Sequence, residues 1–182
     1  METFVALLRG INVGGHHKVP MAELRTEFEK MGYSKVITLL NSGNIIFKAA
    51  SEDEYKLQDE IFSNISKAFG FEIPTTVIKA KQILNLTADN PFSNESLHNN
   101  IRFYATFLNN SSKSQIPLPW QSEDGAYRII YHQGRIICSV LDLSVSKTPE
   151  AMGILQSFYG KKITTRNWNT VVRVENKLAS LK

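Results

Sequence analysis

Apolar and polar positions follow two rhythms along this chain, and each change of rhythm predicts a new element. Phe4 to Leu8 is a continuous apolar run, the mark of a buried strand, ending at Arg9-Gly10. After a polar loop, Pro20 suits a first helical turn, and Met21, Leu24, Phe28 and Met31 recur at helical spacing until Gly32 stops the pattern. Lys35 to Leu40 and Asn44 to Lys48 are β-branched and apolar. Between them Asn41-Ser42-Gly43-Asn44 predicts a hairpin turn, because Gly and Asn tolerate positive φ. Ser51 and Glu54 have capping-box spacing ahead of a helical stripe at Leu57, Ile61, Ile65 and Ala68 or Phe69, which stops at Gly70. Thr75 to Lys79 predicts a fourth strand. The order βαββαβ over residues 1–80 is that of a ferredoxin-like α+β domain.

Residues 81–182 predict a second small α/β half. Lys81 to Leu86 reads as a short helix, and the polar stretch Asp89 to Asn100 as a loop and domain junction. Ile101 to Phe107, Tyr127 to His132 and Arg135 to Val140 predict strands, the first two separated by a Pro- and Ser-rich connection and the last two joined at Gln133-Gly134. Thr148-Pro149 opens a helix carrying Met152, Leu155 and Phe158 to Gly160. A terminal helix beginning near Asn167 is lined by Val171, Val174, Leu178 and Leu181. The expected class is therefore α+β, in two domains spanning 1–80 and 81–182.

Composition narrows this picture. With 182 residues, 42% apolar and 21% charged, the chain is an ordinary globular mixture with enough apolar surface for a real core. No apolar stretch approaches the ~18 residues of a membrane span, and Phe4 to Leu8 is too short for a secretory signal, so a cytoplasmic protein without membrane partners is expected. The single cysteine, Cys138, lies in the apolar run Ile136 to Val140, which excludes an internal disulfide and predicts a small core residue. The net charge of +4 is uneven, with +5 carried by the last 36 residues, from Lys147 to Lys182, so the terminal helix is basic. That asymmetry suits an anionic partner.

Three polar segments are candidates for chemistry. Arg9 to Lys18 leaves a strand and leads into a helix, and Gly10, Gly14 and Gly15 let a ligand approach backbone N–H groups and the positive end of the helix dipole. The glycines match neither of the well-known phosphate motifs, G-x-G-x-x-G or G-K-[ST]. His16 and His17 are adjacent, so their side chains diverge, and no further ligand pattern accompanies them; no metal site is expected. Ser42 lacks the flanks of a nucleophile elbow. Thr164 to Thr170 again leads into a helix, the terminal one. Arg166 and the helix N-terminus would hold a carboxylate or phosphate, or else Thr165 or Asn167 would cap the helix and Trp168 would pack in the core. In a ferredoxin-like sheet the Arg9–Lys18 loop and the Asn41–Asn44 turn fall at one end. The expected ligand-binding set is thus Arg9, Asn12, Gly14, Gly15, Lys18, Asn41, Ser42, Asn44, Arg166, Asn167 and Trp168, the last forming an apolar wall.

These segments also carry a family resemblance. L-R-G-I-N-V-G-G, K-V-P-M-A-E-L-R, N-S-G-N-I-I-F and T-T-R-N-W-N-T resemble the bacterial family known as domain of unknown function 1697, from Leu8 to Thr170. The resemblance implies two α/β parts, the first ferredoxin-like, and no established activity or cofactor. The family's recurring polar positions correspond to Arg9, Asn12, Gly14, Gly15, Lys18, Asn41, Ser42, Gly43, Asn44, Arg166, Asn167, Trp168 and Asn169, none with an assigned catalytic role. The chain departs at His17, where the family often has Asn, and at Leu39, where an aromatic is frequent.

Three functions fit this reading: binding of a small phosphate- or carboxylate-bearing ligand, RNA or single-stranded nucleic-acid binding, and a protein-interaction role with purely structural loops. The first best explains the carboxylate-poor Gly and Asn loops. Against the second, the central strands are aliphatic and lack the aromatic RNP pattern. Whether the protein is an enzyme stays open, since no general base other than histidine stands beside these loops.

Overall fold

A computed structural model describes residues 1–51, 53–96, 98–110 and 116–181. Lys182 and the Ser-rich residues 111–115 of the predicted connection lie outside the described residues. The described residues form a mixed α/β fold with two antiparallel sheets and five helices. It divides into two compact units, Met1–Asn85 with Val174–Lys182, and Leu86–Arg173.

In the first unit β1 (Glu2–Leu8), α1 (Met21–Lys30), β2 (Ser34–Leu39), β3 (Asn44–Ala49), α2 (Glu54–Phe69) and β4 (Thr75–Lys79) follow the order that the apolar pattern predicts. The four strands form one antiparallel sheet in the order β2-β3-β1-β4. Alternate residues Phe4, Ala6 and Leu8 pack with Leu24 and Phe28 of α1 and Leu57, Ile61 and Ile65 of α2. The intervening Val5 and Leu7, with Ile46 and Ile78, are equally closed to solvent, so the central strands have both faces buried.

Two local predictions are corrected here. The α2 N-cap is Asp53, whose carboxylate accepts from the N–H groups of Tyr55 at 2.9 Å and Lys56 at 3.2 Å. No Ser51–Glu54 capping box forms, because Glu54 is used elsewhere: its Oε1 accepts from Lys79 N at 2.7 Å. Gln58 Oε1 likewise accepts from Val77 N at 3.3 Å. Together they satisfy outward N–H groups of the edge strand β4, which an open edge would offer to another chain. In the hairpin turn the positive φ falls on Leu40 and Gly43, not on the asparagines. Gly43 is obligatory, since a Cβ there would lie 2.7 Å from Leu8 Cβ and 2.9 Å from Ile11 Cδ1.

After α3 (Ala80–Asp89), the second unit holds β5 (Ile101–Leu108), β6 (Trp120–Gln121), β7 (Tyr127–Gln133), β8 (Ile136–Asp142), α4 (Thr148–Tyr159) and β9 (Ile163–Asn167). Its sheet runs β6-β7-β8-β5-β9, all antiparallel. Tyr104, Leu108, Tyr127, Ile129, Ile137 and Leu141 pack on Ala151 and Leu155 of α4. Cys138 is fully buried, as expected, and desolvation pushes its thiol pKa up, which leaves it unreactive. Phe158, expected on the packed face of α4, is 40% exposed, and Leu181, expected on the terminal stripe, is 45% exposed beyond the helix end.

The larger correction concerns Ile163–Asn167. Its polar residues predict a connection that enters the terminal helix near Asn167; the helix does begin there, as α5 (Trp168–Ala179), but the segment before it is an edge strand, β9, and no loop intervenes. Its β-branched residues pair with β5, Thr164 against Phe107 and Thr165 against Thr106. The Thr165 hydroxyl is within 2.8 Å of the Thr106 hydroxyl, so it bonds across the sheet rather than capping a helix. Strand pairing, a tertiary effect, has given this polar segment a regular structure that its own residues do not announce.

Candidate functional site

The glycine-rich loop of the first unit is built around the side chain of Asn12. Its Oδ1 accepts from Val19 N at 2.8 Å, while Nδ2 donates to Val19 O at 3.0 Å and to Asn41 O at 2.9 Å. One amide thus ties the loop's two ends together and ties both to the β2–β3 turn. Leu8 N donates to Gly43 O at 2.8 Å and Asn12 N to His17 O at 3.1 Å, closing the same corner. Asn44 is fully buried, and its Nδ2 donates to Leu39 O at 3.2 Å and to Ser42 Oγ at 2.9 Å. His17 has a φ of 51°, its Nδ1 donates to Gly10 O at 3.2 Å, and its ring stacks on Phe71 at 4.4 Å. Asn and His are among the few side chains that tolerate this backbone region, which fits the placement of His17 there.

The loop and turn therefore do meet at one end of the sheet, as the strand directions require. Asn12, Gly15, Lys18 and Asn41 share a shallow pocket of ≈ 420 Å³ with Val19, Pro20 and Met21, at the start of α1. Arg9, Gly14, Ser42 and Asn44 do not line it. Arg9 is half-buried, with its N–H bonded to Pro74 O at 2.9 Å. Lys18 is the pocket's only cation among the described residues.

A larger cleft, ≈ 690 Å³, lies in the second unit where β9 passes into α5. It is lined by Asn167, Trp168, Asn169, Thr170 and Arg173 from that junction, and by His98, Asn99, Ile101, Arg102 and Phe103 around the start of β5. The β5–β9 register explains the juxtaposition: Tyr104 lies opposite Asn167, so residues just before Tyr104 flank the first turn of α5. Two arginines and a histidine line this cleft, with no carboxylate among the described residues. Among the described residues neither Arg102 nor Arg173 has an ion-pair partner. One nitrogen of Arg102 donates to Asn99 O at 2.8 Å and Ile101 O at 3.0 Å, which fixes its guanidinium while the remaining donors stay available. The first turns of α1, α2 and α4 each contain a glutamate, Glu23, Glu54 and Glu150; those of α3 and α5 contain no acidic residue, so at α5 the positive dipole end is not offset from within the helix.

The aromatic wall of the cleft is rigid. Phe103 stacks on Phe92 at 4.4 Å and 6°, and Trp168 meets Phe92 edge-on at 4.9 Å and 67°. Phe92 is buried, whereas Phe103 and Trp168 keep part of their surface at the cleft.

Of the expected set, Asn167 and Trp168 reach this cleft, and Arg166 does not line it. Arg166 pairs with Ala105 within the sheet, and one of its nitrogens donates to the neighbouring Thr165 O at 3.1 Å. Only partly covered by surface area, it is enclosed densely enough that desolvation lowers its pKa to about 10, so it is a cation within the sheet layer rather than an open anion donor. Sequence reasoning missed Arg102, Arg173 and His98. For Arg173 a signal existed, since Asn169, Thr170 and Arg173 stand at helical i, i+4 and i, i+3 spacing on one face.

Among the described residues no group of three His, Cys, Asp or Glu side chains is placed to hold a metal ion, and no helix is long and apolar enough to cross a membrane. A family model described as "Protein of unknown function (DUF1697)" matches residues 1–137. No curated protein matches the chain. Among solved structures, a conserved bacterial protein, SP0830 from Streptococcus pneumoniae, has a similar fold: TM-score 0.70 and 23% identity, over 96% of this chain and 97% of that one.

Proposed function

The chain belongs to the DUF1697 family of proteins of unknown function, and we propose that it binds a small phosphate- or carboxylate-bearing ligand in the cleft at the start of α5. The observation that carries this reading is the pair Arg102 and Arg173, without ion-pair partners among the described residues, beside a first helical turn without acids in a cleft that none of the described carboxylates lines. Guanidinium groups are the side chains best shaped to hold a planar carboxylate or a phosphate with two donors each. Asn167 and Asn169 add neutral donors and acceptors. The glycine-rich loop has the structural role: Asn12 and Asn44 have their amide donors bonded within the protein.

Two further observations shape the reading. The four-stranded sheet of the first unit, which we read as ferredoxin-like from its strand order, has its central strands buried on both faces. It offers no open platform on which bases could stack, so a nucleic-acid role on that sheet is disfavoured. The short apolar runs of the chain support a cytoplasmic location.

A thermal-shift series with inorganic phosphate, pyrophosphate and citrate at constant ionic strength tests the proposal. A bound anion at 100 times its dissociation constant stabilises by about 2.7 kcal/mol. Arg102→Gln and Arg173→Gln should abolish the shift while changing the stability of the free protein by no more than about 0.5 kcal/mol, as expected for exposed positions. A shift that survives in both variants removes this cleft from the function.

A further inference from the structure

Resting on the anion-binding reading, we infer that the ligand of the α5 cleft is a mononucleotide, with its phosphate on Arg102, Arg173 and the first turn of α5 and its base against Trp168 and Phe103. An inorganic anion uses only the cationic side of this site. It needs neither an aromatic wall nor a cleft of ≈ 690 Å³, a volume within the range of sites that enclose whole small molecules. Trp168 and Phe103 line the cleft and are both braced by the buried ring of Phe92, so their positions are set before a ligand arrives. Pre-set rings bind a flat heterocycle without the cost of ordering them first.

The polar groups divide in the same way. Arg102 and Arg173 have donors enough for one phosphate. The amides of Asn99 and Asn167 offer both donor and acceptor atoms, as the edge of a base requires. A single strand of nucleic acid demands more, namely a track of cations for successive phosphates. Beyond the two arginines, the described residues lining this cleft include only His98 as a further basic side chain, which matches one nucleotide rather than a strand.

The test uses the full chain and covers every common base. Each of the common ribonucleoside 5′-monophosphates is titrated in parallel with ribose 5-phosphate, the corresponding nucleosides, inorganic phosphate and a short single-stranded RNA. The readouts are thermal shift and tryptophan fluorescence in a Trp120→Phe background, so that Trp168 alone reports. At least one mononucleotide should bind about tenfold or more tighter than ribose 5-phosphate, the affinity difference expected from base stacking, and should quench Trp168. Arg173→Gln should reduce its affinity to that of the nucleoside, and Phe103→Leu should reduce it to that of ribose 5-phosphate. If ribose 5-phosphate and every mononucleotide bind equally, the nucleotide inference is overturned while anion binding stands. If no phosphate compound binds, both fall. If the RNA binds more tightly than any mononucleotide, the site is a strand-binding surface and the inference is again overturned.

Discussion

The Gly10–Lys18 loop and the cleft at the start of α5 have much in common in composition. Both join a strand to a helix, both carry asparagine, and among the described residues neither is lined by a carboxylate. In the folded chain they use their polar groups in opposite ways. Asn12 makes three bonds within its own loop and to the hairpin turn, and Asn44 is buried with its amide bonded. At the α5 cleft Arg102 and Arg173 face solvent without ion-pair partners among the described residues. On the proposed reading, the conspicuous polar loop is a fastening and the α5 cleft the binding site. What distinguishes the two is whether the donors are already satisfied, which is a property of coordinates and not of composition.

Substitutions that separate fastening from binding sharpen the contrast. The largest stability effect is expected at Gly43→Ala, where the new Cβ enters the space of Leu8 and Ile11 at a φ of 72°. A loss of about 3 kcal/mol or more, measured by urea denaturation, follows from overpacking plus the left-handed backbone penalty. A loss under about 1 kcal/mol would show that the turn is free to move away and that the corner is not rigid. Next is Asn12→Ala, which removes three hydrogen bonds and should cost about 2 kcal/mol while leaving phosphate affinity unchanged. If Asn12→Ala instead abolished the phosphate-induced thermal shift in a folded protein, the division of roles between the two regions would be reversed.

Much of the first unit is legible in the sequence because its elements are announced by their own residues. Phe4 to Leu8 is apolar throughout since β1 is buried on both faces, and the Leu57, Ile61, Ile65 stripe matches the α2 face that packs on the sheet. The meeting of Arg9–Lys18 with Asn41–Asn44 follows from strand direction alone. The second unit is harder to read. Thr164-Thr165-Arg166-Asn167 is polar, and it becomes a strand only because β5 pairs with it, a partner nearly 60 residues earlier in the chain, as in Thr106 with Thr165. Arg102 has the pattern of an ordinary exposed strand residue. Only the register that sets Tyr104 against Asn167 brings it to the start of α5, and a one-residue slip in that register would turn the paired side chains to the other face. Glu54 shows the same limit on a smaller scale, since its spacing from Ser51 indicates a cap while its carboxylate in fact closes the edge of β4.

The most direct measurement of the central claim is an amide chemical-shift titration of the isotope-labelled protein with pyrophosphate at constant ionic strength, which locates the anion without altering a residue. The account predicts that the largest perturbations fall on the amides of Asn167 to Thr170 and on the side chains of Arg102 and Arg173, with Gly10 to Lys18 unmoved. Perturbations concentrated on Gly10 to Lys18, or none at the start of α5 at saturating pyrophosphate, would contradict it.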